Sequence, residues 1–285
     1  MTALIQPPNE VDVQALRVKR LQALGVSVLP LDTNSGRALA VNCSKSRVTD
    51  KDMDDISHLP NVQKLNLTLT EVTDAGVAHL KGCNSLRILT LGSARVSDSA
   101  IESICTLTDL RELSITVDTI TDLGVQHISL LKKLEVLQLS NSRITNKSLK
   151  VLVSLPELRS LSIQTTRVGP ECDFGSSNKL EYLNVSRTRI ENADLHAIAK
   201  CRALKALHVN GCRIGDAGIA LLRDLPALAE LSVSDTSVTN SAVADLAKLS
   251  ALRFLIASRT GLNEAGADDL RRETSGRVTV IYASK

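Results

Sequence analysis

Aromatic residues are almost missing from this 285-residue chain: it has two Tyr, two Phe and no Trp. Leu, Val, Ile and Ala must therefore build the core, which suits thin layers packed with branched aliphatics of similar size. The length exceeds that of most single-core domains, so two domains or an elongated array is expected. No C-x-x-C pair occurs among the six cysteines, Cys43, Cys83, Cys105, Cys172, Cys201 and Cys212. Most of them occupy positions that are otherwise apolar or small, so a reduced, cytoplasmic chain is expected. No apolar run approaches the ~20 residues of a membrane helix. MTALIQPPNE at the start lacks a basic segment and a long apolar segment, so no secretory signal is expected. Neither charge sign dominates: the formal net charge is +3, which excludes a bulk polyelectrolyte role. The phosphate-loop, nucleophile-elbow, H-E-x-x-H and dinucleotide signatures are all missing.

What the chain does have is a repeat. Val62–Ser85, VQKLNLTLTEVTDAGVAHLKGCNS, is one copy of a 24-residue unit reading L-x-x-L-x-L-x-x-T-x-V-T-D-x-G-V-x-x-L. The first positions of ten copies fall at Ala38, Val62, Leu86, Leu110, Leu134, Leu158, Leu180, Leu204, Leu228 and Leu252. The step is 24 residues throughout, except for 22 between Leu158 and Leu180. Positions 4 and 6, such as Leu65 and Leu67, point to one face of a short strand; positions 3, 5 and 7 point to the other. Position 9 is mostly a small hydroxyl, suited to bonding the backbone where the chain leaves the strand. Position 11 is always aliphatic. The Thr-Asp that follows opens a helix, with Thr73 as N-cap and Asp74 favoured by the positive helix end. Strands stack ~4.8 Å apart and helices ~8–10 Å apart, so the array curves with its strands on the inside.

The ends and one internal unit depart from the pattern. Residues 1–8 read as a lead, Glu10–Leu24 as an amphipathic helix, Val26–Leu31 as a strand and Asp32–Gly36 as a turn. This helix and strand should cover the open end of the first unit. In the sixth unit Val168–Asn178 contains Gly169, Pro170 and Gly175, which predicts a kink or a loop protruding on the convex side instead of a helix. After a helix near Glu264–Arg272, Arg277–Ala283 alternates as a final capping strand. The organisation read from this is a cap over 1–37, the array over 38–275 and a capping strand over 276–285.

The motif, with LHVNGCRIGDAGIALL inside Leu204–Leu222 as its fullest copy, resembles the cysteine-containing-like subtype of leucine-rich repeat. It is similar to repeats of F-box-associated proteins and of bacterial, notably planctomycete, proteins. The resemblance covers about Ala38–Asp269. It implies an α/β fold: a leucine-rich repeat solenoid, a right-handed βα superhelix of horseshoe shape with about ten repeats and caps at both ends. Such proteins are recognition scaffolds with diverse partners.

The informative charges lie on the predicted concave face and its rim. Positions 3, 5, 7, 8 and 10 hold ten basic and four acidic residues, so the rest of the chain is net acidic. Position 10 alone supplies Arg47, Arg95, Arg143, Arg167, Arg189 and Arg213. The predicted partner-binding residues are Arg143, Gln164, Arg167, Tyr182, Asn184, Arg187, Arg189, His208, Asn210 and Arg213, with Phe254 also facing the groove. Arginine and tyrosine are favoured at interfaces. A long Arg at a rim can also serve structure alone, covering apolar edge or bonding neighbouring carbonyls. Lys147 and Lys150 are read as lying on a helix, away from the patch. Ser186 and His208 could be neighbours on adjacent strands, but no carboxylate is placed behind the histidine, so a nucleophile–base pair is not favoured. His79 and His127 stand two units apart, too far to share a metal. The expectation is a monomeric, non-enzymatic scaffold without cofactor or metal, binding a protein or peptide of acidic surface. Nucleic acid or another anionic ligand on the same groove is the alternative.

Overall fold

The computed structural model describes residues 10–33, 36–92, 95–175 and 179–282. The helices are α1 (Glu10–Ala23), α2 (Met53–Ser57), α3 (Asp74–Ala78), α4 (Asp98–Ile104), α5 (Asp122–Ile128), α6 (Asn146–Val153), α7 (Leu195–Ile198), α8 (Asp216–Leu222), α9 (Val243–Lys248) and α10 (Glu264–Glu273). The strands are β1 (Ser27–Thr33), β2 (Gly36–Asn42), β3 (Val62–Asn66), β4 (Ile88–Gly92), β5 (Glu112–Thr116), β6 (Val136–Gln138), β7 (Ser160–Ser162), β8 (Tyr182–Asn184), β9 (Ala206–His208), β10 (Glu230–Ser232), β11 (Phe254–Ile256) and β12 (Thr279–Ile281). They form one twelve-stranded sheet in sequence order. β1 and β2 pair antiparallel and the strands from β2 onward pair parallel. From β2 onward strand and helix alternate, except between β7 and β8, and consecutive helices pack together, as α3 does on α4 and α4 on α5. The result is a leucine-rich repeat solenoid of horseshoe form.

The repeat positions take their expected places. Leu65, Leu67, Leu89, Leu113, Leu137, Leu161, Leu183, Leu207 and Leu231 are buried between sheet and helices, as are Val48, Val72, Ile120, Ile144 and Ile190 at position 11. The position-9 hydroxyls of Thr70, Ser142, Thr166, Thr188 and Thr236 each donate to the carbonyl three residues back, at 2.6–2.8 Å. At position 8 the chain turns through the left-handed region: Lys45, Leu69, Asn141, Thr165, Arg187, Asp235 and Arg259 have φ of 56–62°. Gly211, in the same place, has φ 66° and carries none of the steric cost.

The Thr-Asp pair does more than start helices. Thr73, Ser97, Thr121 and Thr145 cap α3 to α6 by accepting the N–H two residues on. Each Asp beside a cap reaches across to the next turn. Asp50 accepts the N–H and hydroxyl of Thr73, both at 2.7 Å, and Asp98 those of Thr121 at 2.9 and 2.6 Å. Asp74 serves Ser97, Asp122 serves Thr145, and Asp216 serves Thr239 in the same way. A Cβ on Gly124 would fall 2.4 Å from Asp98 Oδ1, so the glycine of T-D-x-G makes room for the carboxylate of the preceding turn. Ala100 and Ala242 hold that place in turns where the Asp bonds persist, so glycine eases this packing without being obligatory.

The departures from the expected pattern have local causes. β1 runs to Thr33 and pairs as far as Thr33↔Gly36, so the turn read over Asp32–Gly36 is shorter, with residues 34–35 outside the described set. Pro30 removes one amide from this outer strand and blunts the sheet edge. In α1 only Leu21 is buried; Val11 and Leu16 stay exposed. Val168–Gly175 has no helix, as expected, but it does not protrude. Phe174 is fully buried and Cys172 nearly so, filling the layer a helix would otherwise occupy. The remainder of that stretch, 176–178, lies outside the described residues, as do the lead over 1–8 and Ala283. The last strand is limited to Thr279–Ile281, and Arg277 lies before it. Its guanidinium donates to the carbonyls of Leu249, Ser250 and Leu252 at 2.7–2.9 Å, tying the final turn to the end of α9.

Candidate interaction surface

Each position-10 arginine is fixed at its root by the backbone. The N–H groups of Arg143, Arg167, Arg189 and Arg213 donate to Ile120, Ile144, Val168 and Ile190 of the preceding turn at 2.8–3.0 Å. The side chains then differ. Arg143 pairs with Asp118 at 3.2 Å and Arg213 with Glu191 at 3.3 Å. Arg259, at position 8, pairs with Asp235. Arg167, Arg187 and Arg189 are exposed and form no ion pair with a described residue. Arg167 and Arg189 line a depression of about 330 Å³ together with Thr145, Asn146, Lys147, Gly169 and Pro170. Lys147 thus belongs beside the arginines, against the reading that set it apart on a helix. It is the second residue of α6, where the helix start reaches the rim.

The opposite rim, where chains enter the strands, is charged but closed by pairing. Arg111 bonds Glu135, and Glu181 bonds Arg159 at 3.0 Å and Lys205 at 2.7 Å. Asp109 sits between Lys133 and Arg87, and Lys179 holds Glu157 at 2.7 Å. The Lys133 hydrogen bond holds the Asp109 carboxyl below its ordinary range, and the Lys205 bond does the same for Glu181.

Between the rims, the concave face is polar at its centre. A recess of about 350 Å³ is lined by hydroxyl and amide groups, including those of Gln138, Gln164, Tyr182 and Asn184. Asn184 is buried and committed to the sheet: its amide donates to Gln164 Oε1 at 3.3 Å and its oxygen accepts the Ser186 N–H at 3.0 Å. Asn210 is similarly engaged, its oxygen accepting from Ser232 Oγ and Ser234 N at 2.7 Å. Gln164, Tyr182 and His208 are half-buried. Further along, Phe254 and Ile281 are each about half exposed and give the end of the face an apolar character.

Tyr182, His208 and Glu230 form a chain across β8, β9 and β10. Tyr182 Oη lies 3.3 Å from His208 Nδ1, and His208 Nε2 lies 2.7 Å from Glu230 Oε1. The two rings meet edge-on with centroids 5.2 Å apart. Burial pushes the Tyr182 phenol above its ordinary value, and the Glu230 charge pushes it the same way. Sequence reading missed Glu230 as the carboxylate behind the histidine, because strand register sets His208 opposite Ser232 and Glu230 opposite Ala206. The other nitrogen faces a phenol, while Ser186 Oγ accepts from Asn210 N and Nδ2 at 3.2 and 3.3 Å. The Ser–His arrangement is not formed. His79 and His127 are exposed, and no group of three His, Cys, Asp or Glu among the described residues could hold a metal. Burial pushes the Cys43, Cys105 and Cys172 thiols up to about 12, so all three stay protonated at neutral pH. No helix among the described residues is long and apolar enough to cross a membrane.

The curved parallel sheet, its inter-turn ladders and its accessible inner face define the leucine-rich repeat class of fold. Leucine rich repeat family models match residues 108–168, and separately 58–80 and 200–222. The structure is similar to internalin C2 of Listeria monocytogenes, with TM-score 0.54 and 24% identity over 86% of this chain and 92% of that one. It is also similar to the internalin inlF of the same organism, with TM-score 0.59 and 17% identity over 96% and 88% of the two chains. No curated protein sequence matches significantly.

Proposed function

We propose that the chain is a non-enzymatic scaffold that binds a protein or peptide with an acidic surface. The contact would be the concave face across β6–β9 and the rim where the strands end. The observation that carries this reading is the contrast between the rims: one is neutralised by ion pairs, while the other leaves Arg167, Arg187 and Arg189 without a described partner. Such arginines carry no internal obligation to lose when they bond a partner's carboxylates in forked geometry. Tyr182 would supply area that excludes water. The six cysteines form no disulfide, which fits a reducing, cytoplasmic setting. The repeat motif favours the cysteine-containing-like, bacterial subtype. Nucleic acid fits the same groove less well. Acids engage Arg143, Arg213 and Arg259, and Ser237 and Gly261 interrupt the basic column, so successive phosphates have no continuous track.

The test is capture of partners from lysate by the full chain and by two double variants. Reversal at Arg167 and Arg187 to Glu should abolish the capture that the parent shows. Reversal at Lys132, exposed in the turn before β6, and at Lys150, exposed on α6, should not. Equal loss in both variants would count against the surface. Binding of any oligonucleotide, with a steep loss on adding salt, would move the reading to nucleic acid.

A further inference from the structure

Where the helix between β7 and β8 is missing, the rim opens into the depression that holds Lys147, Arg167 and Arg189. Three cations line one small volume; Lys147 is also within electrostatic reach of Asp122, while Arg167 and Arg189 make no ion pair with a described residue. No carboxylate lines it. The residue in the place of Asn146 is Asp in the four preceding turns, Asp50, Asp74, Asp98 and Asp122, and Pro170 in the turn that follows. Asn146 keeps the structural task without the charge. Its oxygen accepts the Gly169 N–H at 3.0 Å, and its amide donates to the carbonyls of Gly169 and Pro170 at 3.3 and 2.8 Å. The loop floor is thereby fixed by a neutral group. Gly169 lets that floor lie against the stem of Arg189, since a Cβ there would fall 2.8 Å from Arg189 Cβ.

A single carboxylate would leave most of this positive charge unanswered. A phosphoryl group carries close to two charges at neutral pH and offers three acceptor oxygens to the forked donors. We propose that this depression receives a phosphorylated serine or threonine side chain of the protein partner. The proposal rests on the reading of the neighbouring concave face as a partner surface. The cluster is short: Arg143 on one side and Arg213 on the other are tied to Asp118 and Glu191. It therefore suits one phosphoryl group on a peptide better than the spaced phosphates of a nucleic acid.

The experiment exposes the immobilised full chain to a phosphoserine/phosphothreonine peptide library, the same library after phosphatase treatment, and a single-stranded oligonucleotide pool. The phosphorylated library should be retained about tenfold or more over the treated one, as charge-assisted contacts require. Lys147→Ala, Arg167→Ala and Arg189→Ala should each reduce that ratio, with Lys150→Ala unchanged and all four variants unfolding at the parent's temperature. Equal retention of both libraries, no retention of either, or preference for the oligonucleotide would overturn the proposal. The broader reading has its own readout. A lysate partner still captured after phosphatase treatment, and lost on Arg187→Glu, would keep the interaction surface while removing the phosphoryl site.

Discussion

The Asp98 carboxylate receives the Thr121 N–H at 2.9 Å and the Thr121 hydroxyl at 2.6 Å, joining two residues that are 23 positions apart and one turn apart in space. The bond both satisfies the start of α5 and locks it to α4. Asp98→Ala would leave two part-buried donors without their acceptor, at a cost of about 1–3 kcal/mol. Asp98→Asn should cost less than half as much. Asn146, Asn192 and Asn240 already accept the corresponding N–H groups in other turns at 2.8–3.0 Å. Urea unfolding of the two variants checks the order; an alanine variant as stable as the parent would remove the ladder from the account of stability.

The same ladder should make stability sensitive to acid. Burial pushes Asp50 and Asp122 up, but the bonds they accept outweigh it and both end below their ordinary value of 3.8. For Asp50 the donors are Thr73 and the Gly76 N–H; for Asp122 they are the Ser148 hydroxyl and Thr145. A depressed folded-state pKa contributes stability that is complete above the unfolded value and is lost as pH falls through the folded one. The melting temperature should therefore drop below about pH 4, and less steeply in the Asp50→Asn/Asp122→Asn double variant. Melting curves from pH 2 to 6 read this directly, and parallel slopes would show that other carboxylates govern acid unfolding.

Much of the solenoid was legible because its signal is local and repeated. The 24-residue period carries Leu65, Leu67 and Val72 to the core, and the small hydroxyls to their strand ends. What was not legible depends on turns being stacked. Asp74 was read as an answer to its own helix dipole, whereas its bonds run to Ser97 on the next turn. Glu230 was not seen behind His208 because position 3 of one strand meets position 5 of its neighbour only through side-chain reach. The arginine column was found by counting. Which members are free was not, since Asp118 and Glu191 lie at positions the count did not include. Phe174 was missed for a different reason: the 22-residue step breaks the register, so a buried aromatic in a glycine- and proline-containing loop looked like surface.

Leu69 tests the left-handed turn at position 8. It has φ 57°, and its side chain is half exposed, so it bears backbone strain with little burial in return. Asn141 and Gly211 hold the same place at φ 62° and 66°. Leu69→Asn should keep the Leu69 N–H bond to the Gly92 carbonyl and stabilise the chain by roughly 0.5–1 kcal/mol, since Asn tolerates this region better. A rise in the urea midpoint at unchanged slope is the expected result. A fall would mean that the exposed leucine packs more than its accessibility suggests.

Phe174 decides how the missing helix is tolerated. It is the largest fully buried side chain in the molecule as described, and it sits in a segment with no repeating hydrogen bonds of its own. Burial of the ring, with Cys172 and Val168 also in the core, adds to the Asn146 and Asp194 bonds that tether the segment. Phe174→Ala should therefore cost about 3–5 kcal/mol, the upper range for a buried aromatic, because a thin layer has few neighbours able to collapse into the space. Phe174→Leu should retain most of the stability. Hydrogen exchange would locate the damage. Amides of residues 168–175 should lose protection in the alanine variant, while those of β3 and β4, several turns away, keep theirs, as expected for a solenoid whose turns contact only their neighbours. Uniform loss along the chain would show that the array unfolds as a single unit. An unchanged pattern would show that the loop does not depend on the ring.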